Sequence, residues 1–327
     1  MTVPVIKAES LTKRFVIERP LLEQIIRPFG SRQSVCALDG VSFTVEAGQI
    51  LGVVGSNGAG KTTLLRILAD ILEPDEGTVE ICGQTVGKSG HRIRRKIGYV
   101  SSDERSFFWR LSGMENLEFF GQLYGLSRKQ THQRIAQVMK CFGLGGKANQ
   151  LFRDYSTGTR KKFAIIRALL HQPCAILLDE VTNSLDPEST KNIKTFVREH
   201  ISSRENCAIV WSTHRLGEIT EICDKVLVIA NGSVQFYGPV SIFQDIDIKQ
   251  PTYVLQTRNL NGKHEMFHKQ YSELMAIESS QKADMSEFIF KNISSEKFDQ
   301  IVSVAVKDYG AYIIFAGRLT KMQGDSF

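Results

Sequence analysis

The sequence predicts an α/β fold: a mixed, largely parallel sheet covered by helices on both faces and interrupted by a helical insert, followed by a small C-terminal α+β domain. Three observations predict it. Short apolar runs alternate with helical stretches as far as Gly238, one run ends in the glycine-rich GSNGAGKTT, and the alternation stops after Gly238.

At 327 residues, 42% hydrophobic and 23% charged, the chain is long enough for one large domain and a small one. The expected boundaries are 1–240 and 241–327. Near Val41 the sequence alternates as VSFTVEAGQI and runs into LGVV, an antiparallel strand and then a buried strand ending at Gly55. The helix after it carries Leu64, Leu65, Leu68 and Leu72 on one face. From 111 to about 151 the pattern is helical, with Ile135, Val138, Met139 and Phe142 at i, i+3, i+4, i+7 spacing, giving a helical subdomain at about 101–158. A helix over 160–170, the strand CAILL, a helix from Pro187, the strand CAIVWS and a helix-strand pair through VLVIANGSVQFYG complete the large domain. Beyond it, strand candidates YVLQT, EFIFKN and AYIIFAG surround the helical EKFDQIVSVAV. There is no internal repeat.

The net charge of +6 suits an anionic ligand or a membrane surface and is too small to argue for nucleic acid. The six cysteines stand singly, with no CxxC pair, and read as reduced thiols. No run approaches the roughly 18–20 apolar residues of a spanning helix, and the N-terminus lacks a signal-peptide pattern, so a soluble cytoplasmic polypeptide is expected.

The stretch Gly55, Ser56, Asn57, Gly58, Ala59, Gly60, Lys61, Thr62, Thr63 satisfies GxxxxGK[ST] after a buried strand and before a helix. Its glycines let successive N–H groups turn toward phosphates, and the helix adds its positive N-terminal end. Lys61 then bridges the β- and γ-phosphates of a nucleotide and Thr62 offers its hydroxyl to Mg²⁺. Further on, AILLDE delivers two carboxylates at a strand end. Asp179 suits the Mg²⁺ shell, and Glu180 is placed to polarise an attacking water.

Between these motifs stands YSTGTRK (Tyr155 to Lys161), opening a helix, and beyond them come NSLD at Asn183–Asp186 and WSTH ending at His214. The ordered set over about residues 5–240 resembles the ABC transporter ATPase family. The resemblance implies an ATPase built on the P-loop NTPase fold that binds ATP and Mg²⁺, works as a head-to-tail dimer, and sits at the cytoplasmic face of the membrane on a separate integral membrane permease. It implies that Ser156 and Gly158 meet the γ-phosphate held by the second copy, that His214 is the switch histidine, that Asp186 communicates between the two sites, and that Phe15 stacks on adenine.

The chain departs from the family pattern in several places. The signature usually reads LSGGQ, whereas Thr157 and Thr159 stand here for its first glycine and its glutamine, loosely resembling signatures of bacterial exporters. Ser102 aligns where a metal-contacting glutamine is usual, with Asp103 and Glu104 as alternative ligands. Val181 replaces the proline after the catalytic glutamate. The extension 16–36 resembles one in exporters of glycans and glycolipids. Its Leu21, Leu22, Ile25 and Ile26 lie either on the partner or lipid headgroups or on the protein's own sheet, and its Phe29 rivals Phe15 for adenine. Phe107, Phe108 and Trp109 either grip the membrane subunit or pack the helical insert, and HRIRRK reads as a solvated hairpin face. The C-terminal domain either holds the dimer or regulates it. Export is the expected direction. An importer with a regulatory tail, or a soluble ATPase acting on ribosomes or DNA, are the alternatives.

Overall fold

The computed structural model describes residues 3–16, 34–87, 91–101, 106–243, 252–258, 263–272, 277–282, 285–291, 295–307, 309 and 312–319. The chain divides into two compact units, Met1–Val240 and Ser241–Phe327.

The first unit contains two sheets. β1 (Ile6–Val16) pairs antiparallel with β2 (Ser34–Val45) on one side and with β4 (Glu76–Ile81) on the other, and a two-residue β5 (Gln84–Thr85) extends the order to β2-β1-β4-β5. β1 and β2 bury one face on the core, through Ile6, Ala8 and Leu11 and through Leu38, Val41, Phe43 and Val45, with the alternation broken where their register shifts after Ala8. The second sheet is β10-β9-β3-β8-β7-β6, formed by β3 (Ile50–Val54), β6 (Ile97–Val100), β7 (Ala175–Asp179), β8 (Ala208–Thr213), β9 (Lys225–Ala230) and β10 (Ser233–Pro239). All its pairs are parallel except β9 with β10. β3, β7 and β8 are buried along their whole length, which explains their unbroken apolar runs.

Between the sheets lies α1 (Lys61–Leu68), whose Leu64, Leu65, Ile67 and Leu68 join one core with Ile6, Val41, Val53 and Val210. The helix stops short of Leu72. Asp70 takes a left-handed φ of 55° and turns its carboxylate to the Gly87 N–H and to Arg94 Nε, at 3.0 and 2.9 Å, and Leu72 packs on the same core from outside the helix. That ion pair corrects the reading of HRIRRK: the segment holds α2 (His91–Arg94), with Ile93 buried.

The helical insert holds α3 (Gly113–Leu123) and α4 (Arg128–Cys141), and α5 (Thr157–Leu169) follows it. Capping boxes start the first two, Ser112 with Glu115 and Ser127 with Gln130, satisfying N–H groups that otherwise lack partners. Ile135, Val138 and Met139 are buried, while Phe142 caps α4 and stacks on Phe196 at 3.8 Å between centroids. α6 (Pro187–Phe196) continues as a π-helical turn, Val197–Ser202, and α7 (Leu216–Ile222) precedes β9.

Cys82 and Cys174 are joined as a disulfide, against the expectation of six reduced thiols. The fold brings them together at Lys96, whose carbonyl accepts from the Cys174 N–H at 2.9 Å and whose Nζ donates to the Cys82 carbonyl at 3.4 Å. Cys207 and Cys223 are free and buried, and desolvation pushes the Cys207 thiol up to about 12.

The second unit is a split βαβ arrangement: β11 (Thr252–Arg258), α8 (His264–Ser272), β12 (Ile277–Lys282), β13 (Met285–Lys291), α9 (Ser295–Lys307) and β14 (Tyr312–Leu319) form an antiparallel sheet of order β12-β13-β11-β14. Its core gathers Leu255, Phe267, Tyr271, Phe288, Phe290, Phe298, Ile301 and Ala305. α8 and β12 are additions to the sequence reading. Only Phe267 and Tyr271, four residues apart, bury themselves from α8, and the IESSQK of β12 lacks an apolar alternation.

His171, just past α5, stacks on Tyr124 at 4.0 Å, and its Nε2 lies 3.1 Å from the Ile97 carbonyl. Desolvation holds its pKa down at about 4. The unfolded chain takes up this proton through about pH 6.5 while the folded chain resists it to about pH 4. The stabilisation is therefore complete above about pH 6.5 and is lost, to the extent of about 3 kcal/mol, as pH falls toward 4. His171→Gln is expected to flatten the fall in urea midpoint over that window, and wild-type and variant curves that ran parallel would exclude His171 as the cause.

Candidate functional site

β8 lies between β3 and β7, with Thr213 opposite Val54 and Ser212 opposite Asp179. This register gathers the loop after β3, the Asp179–Glu180 pair and His214 at the carboxyl ends of neighbouring parallel strands, where open α/β sheets bind ligands.

The loop 55–60 turns tightly. Gly60 has φ +107°, and a Cβ there would stand 2.3 Å from the Ala37 carbonyl oxygen, so the position admits only glycine. Gly60 also precedes α1 without a side-chain cap, and the first turn of α1 holds no acidic residue. The N–H groups of that turn, at the positive end of the helix, remain available to an anion. Lys61, 5% exposed, curls back over the loop and donates to the carbonyls of Gly55 and Ser56 at 2.8 and 2.9 Å. A cavity of about 280 Å³ opens in front of it, lined by Asn57, Gly58, Gly60, Lys61, Thr62, Thr63, Asp179 and Glu180.

Asp179 is buried and accepts from Ser212 Oγ at 2.6 Å and from Thr62 Oγ1 at 3.4 Å. A hydroxyl and a carboxylate thus converge on the cavity. Among the described residues no cluster of three or more His, Cys, Asp or Glu forms a metal cage. A sparse donor set of this kind fits Mg²⁺, which keeps several waters and takes substrate phosphate oxygens rather than a full protein shell. Burial and the Asp179 carboxylate push the neighbouring Tyr99 phenol up to about 12, so it stays protonated.

Glu180 adopts a left-handed φ of 50°, a strained conformation of the kind that concentrates at functional sites. Its N–H donates to Ser212 Oγ at 3.1 Å. One carboxylate oxygen stands 3.6 Å from Lys61 Nζ and 3.8 Å from His214 Nδ1, and the other accepts from Asn183 Nδ2. The His214 side chain is 44% exposed and lies outside the cavity lining, reaching the site through Glu180. The three residues expected to act in catalysis, Lys61, Glu180 and His214, are brought together.

Other expected site residues lie outside the cavity lining. Ser156 caps α5, its Oγ accepting from the Thr159 N–H at 3.3 Å and lying 3.0 Å from Thr159 Oγ1. Gly158 sits in the first turn of α5, where a Cβ would meet Ser189 Oγ at 2.7 Å. Asp186 caps α6 through the Ser189 N–H at 2.8 Å, and the Ser189 hydroxyl and N–H hold its carboxyl below the ordinary range. Phe15 is exposed near the end of β1, with Lys13 Nζ 5.8 Å from its ring centroid. Ser102, Asp103 and Glu104, and the extension from 17 to 33, lie outside the described residues.

The run 107–109 divides between its two readings. Phe107 is buried, stacked on Phe152 at 4.3 Å, whereas Phe108 and Trp109 are exposed, Phe108 meeting Phe119 edge-on at 5.0 Å. Arg160 of α5 lies 4.5 Å over Trp109 and Arg167 4.7 Å over Phe107. Ser212, Asn183 and Tyr99 are site neighbours that the motifs alone did not single out. Ser212 stands inside WSTH, but only the strand register reveals that it faces Asp179.

A profile of the family described as ABC transporter matches residues 38–183. The ABC transporter ATP-binding protein NatA of Bacillus subtilis is 35% identical over 71% of this chain and 94% of its own length. The methionine import ATP-binding protein MetN of Staphylococcus saprophyticus is 36% identical over 67% of this chain and 65% of its own, so the match spans just under two thirds of that relative. In fold, the chain resembles the ATP-binding cassette MJ0796, solved as a dimer in a post-hydrolysis state with ADP and phosphate, at a TM-score of 0.62 and 23% identity over 72% of this chain and 98% of that one.

Proposed function

Because the chain belongs to the ABC transporter family, as an ATP-binding and ATP-hydrolysing subunit, we propose that it drives export through a separate integral membrane permease, paired head to tail with a second copy. The observation that carries this reading is the cavity itself. Lys61, Thr62, Asp179 and Glu180 converge on it, while Ser156, Gly158 and Asp186 are absent from its lining. A phosphate site that lacks its own signature serine is completed by the signature of another copy.

In this reading the loop N–H groups of residues 55–63 and Lys61 bind the phosphates, and Phe15 stacks on the base. Thr62 and Asp179 would hold Mg²⁺. Bound Mg²⁺ neutralises charge that develops on the phosphate oxygens. Glu180 orients the attacking water and draws off its proton, and His214 contacts the γ-phosphate beside it. Residues 1–240 form the ATPase domain, and 241–327 an accessory domain.

A membrane partner is supported by the exposed apolar side chains Phe108, Trp109, Phe119 and Leu123, of which Phe108 and Phe119 meet edge-on, since exposed apolar surface marks an interaction site. The cation-π contact of Arg160 with Trp109 links that surface to the helix that Ser156 begins. Among the described residues no helix is long and apolar enough to cross a membrane. The departures from LSGGQ at Thr157 and Thr159 support export. The likeness to MetN favours import as the second reading.

Detergent extraction followed by affinity purification of the tagged chain is expected to recover an integral membrane protein, and ATP added outside inverted vesicles to drive substrate inward. ATP-driven uptake by right-side-out vesicles would instead establish import. Recovery of ribosomes or DNA without a membrane protein would overturn the transport reading.

A further inference from the structure

Glu218 on α7 is 5% exposed, and its Oε2 accepts two hydrogen bonds, from Thr182 Oγ1 at 2.9 Å and from Thr213 Oγ1 at 2.8 Å. Thr182 lies two residues after Glu180, and Thr213 immediately precedes His214. Thr213 Oγ1 also accepts the Arg215 N–H at 3.0 Å, which clasps the turn bearing His214. Arg215 Nη1 stands 3.6 Å from the other oxygen of Glu218. Burying a carboxylate is costly unless donors meet it, and here the donors come from the two segments that present Glu180 and His214.

Docking α7 does not require this carboxylate. Ile219 and Ile222 are buried on the same short helix, and Ile219 packs so closely on β3 that a Cβ at Gly52 would stand 2.4 Å from its Cδ1. Ser212 already ties the β7 end to the β8 end below the site, through Asp179 and the Glu180 N–H. Glu218 forms a second tie, at Thr182 two residues beyond Glu180 and at Thr213 one residue beyond Ser212, where β7 and β8 no longer pair.

We propose that Glu218 is a positioning residue for ATP hydrolysis: through Thr182 and Thr213 it fixes the separation of the segment after Glu180 and the turn carrying His214, so that both side chains address one γ-phosphate. The proposal rests on the roles proposed above for Glu180 and His214. Glu218 itself touches neither of them and acts through the two threonines. Its removal therefore lowers turnover without weakening nucleotide binding, because the loop 55–63 is untouched.

The test is steady-state ATP hydrolysis by the full-length chain with Mg²⁺, measured with equilibrium binding of a fluorescent ATP analogue. Glu218→Ala is expected to lower kcat about tenfold or more with KM changed less than about twofold. Glu218→Gln, whose amide oxygen still accepts from both hydroxyls, is expected to restore kcat to within about threefold of wild type. Thr182→Val and Thr213→Val, each removing one tie, lower kcat by a few fold, and they decide the matter if Glu218→Ala does not fold. An unchanged kcat in the alanine variant or in both valine variants, a rise in KM that accounts for the loss, or a glutamine variant as slow as the alanine one would overturn the proposal. Glu180→Gln and His214→Ala are measured alongside. If these keep wild-type turnover, the reading of the site fails; if they lose it and the Glu218 and threonine variants do not, only the positioning role fails.

Discussion

Replacing Glu180 by glutamine is expected to slow ATP turnover by about 10²–10⁴-fold, the typical contribution of a positioned general base. Glutamine preserves almost everything else at this position. The left-handed backbone, the N–H bond to Ser212 Oγ and an oxygen to accept from Asn183 all remain open to it. It loses the negative charge and the ability to take a proton from water. Nucleotide binding is expected to survive, because Lys61 is relieved of its carboxylate neighbour at 3.6 Å and keeps its contacts to the Gly55 and Ser56 carbonyls. Phosphate release and equilibrium binding of a fluorescent ATP analogue, measured on the same preparation, separate the two effects. Turnover within about threefold of wild type would remove Glu180 from the role of base. A matching loss of affinity would instead make it a residue that organises Lys61.

The division between what the sequence reveals and what it conceals follows the range of the interactions. The phosphate loop is legible because its mechanism is local: glycines, a lysine and two threonines act within one turn of chain. The same holds for β3, β7 and β8, whose burial on both faces is written as unbroken apolar runs. Ser212 and the tie from Glu218 to Thr182 are silent in sequence because Asp179 and Thr182 lie 33 and 36 residues away from them, and only strand register and helix placement bring them into contact. Arg94 is likewise invisible as the partner of Asp70, and the pairing of Cys82 with Cys174 spans 92 residues. The run 107–109 cannot be sorted by composition, since three adjacent aromatic residues look alike until the insert folds and buries only Phe107. In the second unit β12 escapes notice because IESSQK has no apolar alternation to announce a strand at the edge of its sheet.

Lys61→Ala is expected to act at the opposite step from Glu180→Gln, on binding rather than on turnover. Lys61 is a buried ammonium with three donors, two of them on loop carbonyls. A nucleotide offers the same donors charged phosphate oxygens, and two charge-assisted hydrogen bonds of about 1.5–3 kcal/mol each amount to about 10²–10⁴-fold in affinity. Both ground-state and transition-state phosphates use them, so the loss falls first on Kd and KM, with a smaller fall in kcat. The truncation also leaves the Glu180 carboxylate without its cationic neighbour, which adds repulsion toward an incoming polyanion. Lys61→Arg does not rescue, because the forked guanidinium is larger than the ammonium it replaces in a buried position. Isothermal titration with Mg·ATP, and a thermal scan to establish that the variant is folded, decide the matter. A folded Lys61→Ala protein that binds Mg·ATP within about threefold of wild type would show that the loop N–H groups and the helix end bind the phosphates on their own.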